Sequence, residues 1–405
     1  MLSLQKLITF FEHSFRLFNQ TKFFVFCAAL FACSWLSYYL LLRLKRRGGD
    51  RLPAFVRKYL MLHSLKSSSN ALQIGGIPFA FWCLVSLLIL FRFFPYLASA
   101  SQSVILFHSM VAWVGILLYG YLDDRYEIRP IVKLSFQFSL VAVFSLGCAN
   151  FMHPENSAQA LVFMTFLGLG LINGANLIDG IDTLSYKIAA VTYLAFVILA
   201  APIQNLVALF LASAGFFTLT GFYFFNRFPS RVHLGEIGGS CIGLSYFILA
   251  TVTYEGYRTY NPIHSALAKA LIPCVMPGME LAVSFLRRLL NGKSPFKGDR
   301  LHLHHILSDG HGLRVTTAAS LEAFVLFFSL GFAFYLADLS NALLGLAAHV
   351  LVLLAFYFGV GWRYWFLGRL KVNFFQGLLV KKEVKLIASD GLGDFEITIN
   401  KKNKR

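Results

Sequence analysis

Apolar runs of about twenty residues recur along this chain from near residue 22 to near residue 362, and no other feature limits its fold as tightly. Such a run, as helix, crosses the hydrocarbon core of a bilayer and satisfies its backbone polar groups within its own segment. The sequence therefore predicts an all-α, polytopic transmembrane helical bundle of about eleven spans, near 23–42, 75–97, 103–121, 131–149, 160–178, 187–203, 206–225, 238–254, 263–286, 316–337 and 341–361. Only 14% of the residues are charged, close to half the share of a soluble domain. The spans read as one membrane domain, 23–361, between an amphipathic N-terminal segment, 1–22, and a basic tail, 362–405. Glu12 and His13 interrupt the first apolar stretch and no small-residue cleavage site follows, so it reads as a lead-in and not a signal peptide. The tail alternates apolar and polar residues around SDGLGD, which fits a small β-hairpin or a disordered basic end.

The net charge is +17, from 36 Lys plus Arg against 19 Asp plus Glu. One patch of that size would point to nucleic acid, but the cations fall in alternate loops. Arg43, Lys45, Arg46, Arg47, Arg51, Arg57, Lys58 and Lys66 follow the first span, and others crowd 287–315 and the tail, whereas the opposite loops hold essentially Arg258. The positive-inside rule puts the cation-rich loops and the C-terminus in the cytoplasm. The charge is then a topological signal and an attraction for anionic headgroups or phosphorylated ligands, and no nucleic-acid site is expected. Cys27, Cys33, Cys83, Cys148, Cys241 and Cys274 lie in or beside apolar runs without CxxC spacing, and read as small buried residues.

The same span count places every unusual polar cluster on the cytoplasmic face. GYLDDRYEIRP ends an apolar run with Asp123 and Asp124 side by side. A carboxylate at membrane depth costs about 2.5–3.5 kcal/mol, so a cation is needed: Arg125 and Arg129 as ordinary ion pairs, or a bound metal. In INGANLIDGIDTLS, Asn173, Asn176, Asp179 and Asp182 recur every third residue, one polar stripe if the helix continues. Their oxygens suit Mg²⁺; a helix end capped by Gly180 accounts for one or two of them. FNRFPSRVHLGEIGGSCIG surrounds Glu236 with Gly235, Gly238 and Gly239 before another span, where backbone N–H groups can approach a phosphate. GKSPFKGDRLHLHHIL gathers His302, His304 and His305 with Lys293, Lys297 and Arg300, donors suited to a diphosphate more than to zinc. Gly75 and Gly76, in QIGGIPFAF, read as a kink or a close packing point.

In order and spacing, from about residue 70 to 315, these clusters resemble the polyprenyl-phosphate N-acetylhexosamine-1-phosphate transferases, glycosyl transferase family 4. GYLDDRYEIRPIVKLSFQ is similar to the family's aspartate pair followed by a basic residue and glutamine, here Lys133 and Gln137. NGANLIDGIDTLS resembles its N-x-x-N-x-x-D-G-x-D-G segment, FNRFPSRVHLGEIGG its glycine-acid loop, and the histidine stretch its H-x-H-H loop. The histidine form after S-P-F-x-x-D looks more like the undecaprenyl-phosphate GlcNAc-1-phosphate transferase branch, which starts O-antigen, than the peptidoglycan translocase branch.

The resemblance implies transfer of an N-acetylhexosamine 1-phosphate from a UDP-N-acetylhexosamine to undecaprenyl phosphate, with release of UMP. It implies Mg²⁺, with Mn²⁺ as a substitute, and a multi-pass protein of the bacterial inner membrane, with a homodimer compatible. By position, Asp123 would activate or orient the lipid phosphate with Asp124 in support, and Asn176 and Glu236 would hold the metal. Asp179 and Asp182 would arrange the nucleotide and metal shell, Lys133 and Asn173 would bind substrate, and Arg300, His302, His304 and His305 would contact the diphosphate or sugar. The chain departs from the pattern at Glu236 and Glu280, where the family has aspartate, at Glu127, at Thr183 for glycine and at Gly239 for serine. Two alternatives stand beside this reading: a transporter or flippase for a lipid-linked sugar, and a catalytically weakened homologue that serves as an assembly partner.

Overall fold

The computed structural model describes residues 20–46, 71–73, 75–94, 97–126, 128–296, 298–339, 341–366, 385–389 and 394–398. Residues 1–19, most of the first cation-rich loop, Glu127, Lys297 and most of the tail lie outside them. Twelve helices longer than eight residues are described: α1 (Gln20–Arg46), α2 (Gly76–Phe93), α3 (Ala100–Tyr126), α4 (Pro130–Met152), α5 (Ser157–Ile178), α6 (Leu184–Ala200), α7 (Leu206–Asn226), α8 (Gly235–Arg258), α9 (Ile263–Leu271), α10 (Val275–Leu290), α11 (Val315–Leu339) and α12 (Ala342–Phe366). Ten segments among the described residues are long and apolar enough to cross a membrane, α9 and α10 counting as one, and α6 is a shorter apolar helix. Together they account for the eleven expected spans: the chain is a multi-pass membrane protein whose spans are all helical. Two short strands in the tail, β1 (Lys385–Ser389) and β2 (Asp394–Thr398), pair antiparallel as the alternation predicts.

Local chemistry sets the helix ends. Pro130 occupies the first turn of α4, where its missing N–H costs nothing, and Asn205 caps α7 by accepting from the Ala208 N–H at 3.0 Å. Pro273 sits in the single 3-10 turn that joins α9 to α10.

The most buried span is α8, 89% of its apolar window lying inside the protein, against only 22% for α1 and for α12. It packs against α3, α5 and α9. Close approach to α5 depends on glycine: a Cβ at Gly243 would lie 2.4 Å from Ile172 Cα, and one at Gly239 2.1 Å from Asn176 Oδ1. One core cluster fills the space among α1–α9, and a second joins the site ends of α5 and α6 to α10, α11 and α12. All six cysteines are free.

Candidate active site

The polar residues come together where α3 and α5 end and where α4 and α8 begin. Asp123 Oδ1 accepts the Ile128 N–H at 2.9 Å, which fixes the turn after α3. Asp124 Oδ1 accepts the Glu236 N–H at 3.3 Å, so one carboxylate of the pair caps the electropositive start of α8. That start needs glycine: Gly235 has φ +70°, and a Cβ there would lie 2.7 Å from the Gln73 carbonyl. The backbone of Leu72–Gly76 pairs with Arg231–Leu234, so the glycines of QIGG are a packing point between two loops.

Glu236 is the hub. Its carboxylate accepts from Lys133 Nζ and from Asn176 Nδ2, and the same ammonium lies 3.6 Å from Asp123 Oδ2. Among the described side chains the cation beside Asp123 is Lys133, from the first turn of α4, whereas Arg129 is exposed; the side chain of Arg125 lies outside them. Two carboxylates, Asp123 and Glu236, thus share one ammonium in a partly buried cluster, with Asp124 held beside them on the Glu236 N–H. Asn173 donates to Gln137 Oε1 and to the Leu169 carbonyl, both at 2.9 Å, and so faces α4.

The polar stripe does not continue as helix. α5 ends at Ile178, and Asp179 to Thr183 form a turn in which Thr183 adopts φ +69°, the left-handed region. Asn226 holds this turn, accepting the Thr183 N–H at 2.8 Å and donating to the Val232 carbonyl at 2.9 Å. Asp179 accepts the Ser185 hydroxyl at 2.6 Å; Asp182 accepts the Ser230 N–H at 3.0 Å and lies 3.9 Å from His233. Burial pushes the Asp179 carboxyl above the usual carboxylate range, and the charges of Glu236 and Asp182 push it the same way.

The histidine loop closes over this turn. His304 packs so tightly on Gly180 that a Cβ there would lie 2.0 Å from its Nε2. Both His304 nitrogens and His305 Nδ1 are buried without a hydrogen-bond partner. Burial holds both imidazoles neutral, pulling His304 down to about 3 and His305 to about 4. His302 is bonded instead to Glu280, and Arg300 is exposed and paired with Asp309 at 2.9 Å. Behind the loop, Asp299 takes a bidentate contact from Arg287 at 2.7 and 3.0 Å and another from Arg288 at 3.2 Å, which hold its carboxyl well below the usual range against the opposing effect of burial. The paired arginines Arg287 and Arg288 in the last turn of α10 are the sequence signal for this clamp, though they belong to none of the polar clusters above.

Residues 106–254, the stretch from α3 to the end of α8 that carries the Asp123–Glu236 cluster, match the model of glycosyl transferase family 4. Through this segment the chain is similar to glycosyl transferase family 4. Similar curated proteins are an undecaprenyl-phosphate alpha-N-acetylglucosaminyl 1-phosphate transferase of Yersinia pestis, 28% identical over 56% of this chain and 66% of the relative; a protein of that name from Thermotoga maritima, 26% identical over 54% and 66%; and a probable undecaprenyl-phosphate N-acetylglucosaminyl 1-phosphate transferase of Bacillus subtilis, 26% identical over 47% and 55%. The chain thus spans between about half and two thirds of the relatives it matches. The family 4 match ends before Glu280 and the histidine loop.

Proposed function

We propose that this protein, like the family it resembles, transfers an N-acetylhexosamine 1-phosphate from a UDP-sugar to undecaprenyl phosphate at the cytoplasmic face of a bacterial inner membrane, releasing UMP and starting a lipid-linked polysaccharide such as O-antigen. The observation that carries this reading is the convergence of Asp123, Asp124, Lys133, Asn176 and Glu236 at one end of the bundle, within the segment that matches the family. The acceptor keeps its phosphate at the lipid boundary and the donor is water-soluble, so a site at the helix ends is where the two can meet.

The donor set fits a hard divalent ion. Among the described residues no three His, Cys, Asp or Glu side chains form a ready cage, but Mg²⁺ commonly takes one or two carboxylates and completes its shell with water and substrate phosphates. Glu236 would hold Mg²⁺, or Mn²⁺ in its place, together with the Asn176 amide oxygen, and the ion would neutralise phosphate charge during transfer.

The chain's own groups divide the remaining work. Asp123 stands beside the Lys133 ammonium, able to orient the attacking lipid phosphate while Lys133 balances charge. Asp124 keeps α8 and Glu236 in register. The Asp179–Asp182 turn and the neutral His304 and His305 packed on it would take the nucleotide diphosphate, since a neutral imidazole N–H can donate to a phosphate oxygen without a cation's desolvation cost. Asp123→Asn keeps the size of the side chain and removes its charge. Purified in detergent and given undecaprenyl phosphate, Mg²⁺ and UDP-N-acetylglucosamine, that variant should lose UMP release by at least about 10²-fold; turnover equal to wild type would defeat the assignment.

A further inference from the structure

Glu280 lies within α10 and is 1% exposed, yet both of its oxygens are used. Oε1 accepts from His302 Nδ1 at 2.6 Å, with the Ser284 hydroxyl 3.2 Å from the same nitrogen, and Oε2 accepts from the Tyr357 hydroxyl of α12 at 2.6 Å. A carboxylate buried this deeply is costly and is retained only when its partners are supplied. Here one partner is the first histidine of the loop, and the other comes from a span far outside the family match.

The end of α12 grips the same loop at further points. Trp365 Nε1 donates to the Leu301 carbonyl at 3.0 Å, Asn291 Nδ2 donates to the Trp365 carbonyl at 3.2 Å, and His311 Nε2 donates to the Val360 carbonyl at 3.3 Å. Gly310 lies against the Tyr364 ring, where a Cβ would come within 2.9 Å. On its other side the loop rests on Gly180 through His304. The loop is thus held between α10 and α12 behind and the Asp179–Asp182 turn in front.

We propose that Glu280 and Tyr357 are positioning residues: through His302 they fix the histidine loop over the Asp179–Asp182 turn and so set the affinity for the nucleotide-sugar donor, not for the lipid acceptor. This rests on the functional reading above, because it takes the histidine side of the site to be the donor side. It also gives Glu280 a reason for its length. The carboxylate spans two partners on different elements, and a side chain one methylene shorter would reach them less well.

Tyr357→Phe deletes one hydroxyl and keeps the ring that packs in the core; Glu280→Gln keeps the shape and removes the charge. Two quantities decide: the Kd of UDP-N-acetylglucosamine for the detergent-purified protein, which needs no turnover, and the KM for undecaprenyl phosphate. In both variants donor Kd should rise about tenfold, the equivalent of one charge-assisted hydrogen bond, while acceptor KM stays within about twofold. Hydrogen exchange over 299–311 should quicken in parallel. If Glu280→Gln fails to accumulate in membranes, Tyr357→Phe carries the test alone. Unchanged donor Kd in Tyr357→Phe, or donor and acceptor constants rising together, overturns the proposal. A wild-type protein that binds the donor but releases no UMP overturns the transferase reading instead, and the donor Kd still tests the positioning role.

Discussion

Lys133 Nζ is bonded to both carboxylate oxygens of Glu236 and lies 3.6 Å from Asp123 Oδ2, so one ammonium from the first turn of α4 joins the acidic ends of α3 and α8. Both side chains of the ion pair are largely covered, at 18% and 24% exposure, so the contact is screened less than a surface pair. Replacing the lysine with methionine keeps most of its length and removes the charge that Asp123 and Glu236 share. UMP release by Lys133→Met should fall on the order of 10²-fold, and Lys133→Arg should recover only part of it, because a planar guanidinium cannot serve as a point charge between the two carboxylates. Retention of wild-type rate by Lys133→Met would show that the pair is a structural strut.

Gly239 is where Asn176 needs room. A Cβ at Gly239 would lie 2.1 Å from Asn176 Oδ1, whereas at Gly278 nothing lies within 4 Å. Gly239→Ala should therefore displace Asn176 from Glu236 and lower turnover at least about tenfold, while Gly278→Ala leaves it unchanged. Rates measured on equal amounts of folded protein separate the two; equal effects would mean that the Asn176–Glu236 contact does not matter.

Thr183 occupies the left-handed region with its hydroxyl buried and unpaired. Left-handed strain costs a non-glycine residue roughly 1–2 kcal/mol, and glycine gives part of that back through unfolded-chain entropy. Thr183→Gly should raise stability by about 1 kcal/mol, read as a higher thermal midpoint in detergent. A lower midpoint would show that the threonine methyl packs better than its backbone is strained.

The two buried histidines give stability a defined pH dependence. Their folded values lie near 3 and 4, below the ordinary 6.5. Between 6.5 and about 4 the unfolded chain therefore binds more protons than the folded one, and stability rises with pH across that window. Thermal midpoints should be flat above about pH 7.5 and fall from pH 6.5 towards pH 4.5, with a shallower fall in His304→Gln. An unchanged slope in that variant would place the titration elsewhere.

Much of the fold was legible in the sequence because lipid imposes one rule on every span: enough apolar residues and no unsatisfied backbone. The clusters around Asp123, Asn176, Glu236 and His304 were legible as polar residues where an apolar run should have continued. What was not legible depends on which helices touch. Periodicity extended the stripe through Asp182, but the structure ends α5 at Ile178, where Gly180 accommodates His304 and Thr183 turns the chain. Arg129 was as good a partner for the aspartates as Lys133 until α4 was placed beside α8. The sequence reading also put every unusual polar group on one face, whereas Glu322 and His349 lie buried along α11 and α12, and Glu255 pairs with Arg258 at the far end of α8. Single ionisable residues inside apolar runs carry no spacing pattern, so only packing reveals them.

Transfer of a sugar phosphate to a lipid phosphate is read most plainly as product formation by the purified protein. With undecaprenyl phosphate, Mg²⁺ and a panel of UDP-N-acetylhexosamines, at least one donor should yield equal amounts of UMP and a lipid diphosphate sugar, and chelation of the metal should stop both. No UMP from any donor, with the lipid-linked sugar instead moved intact between leaflets of a vesicle, would contradict it.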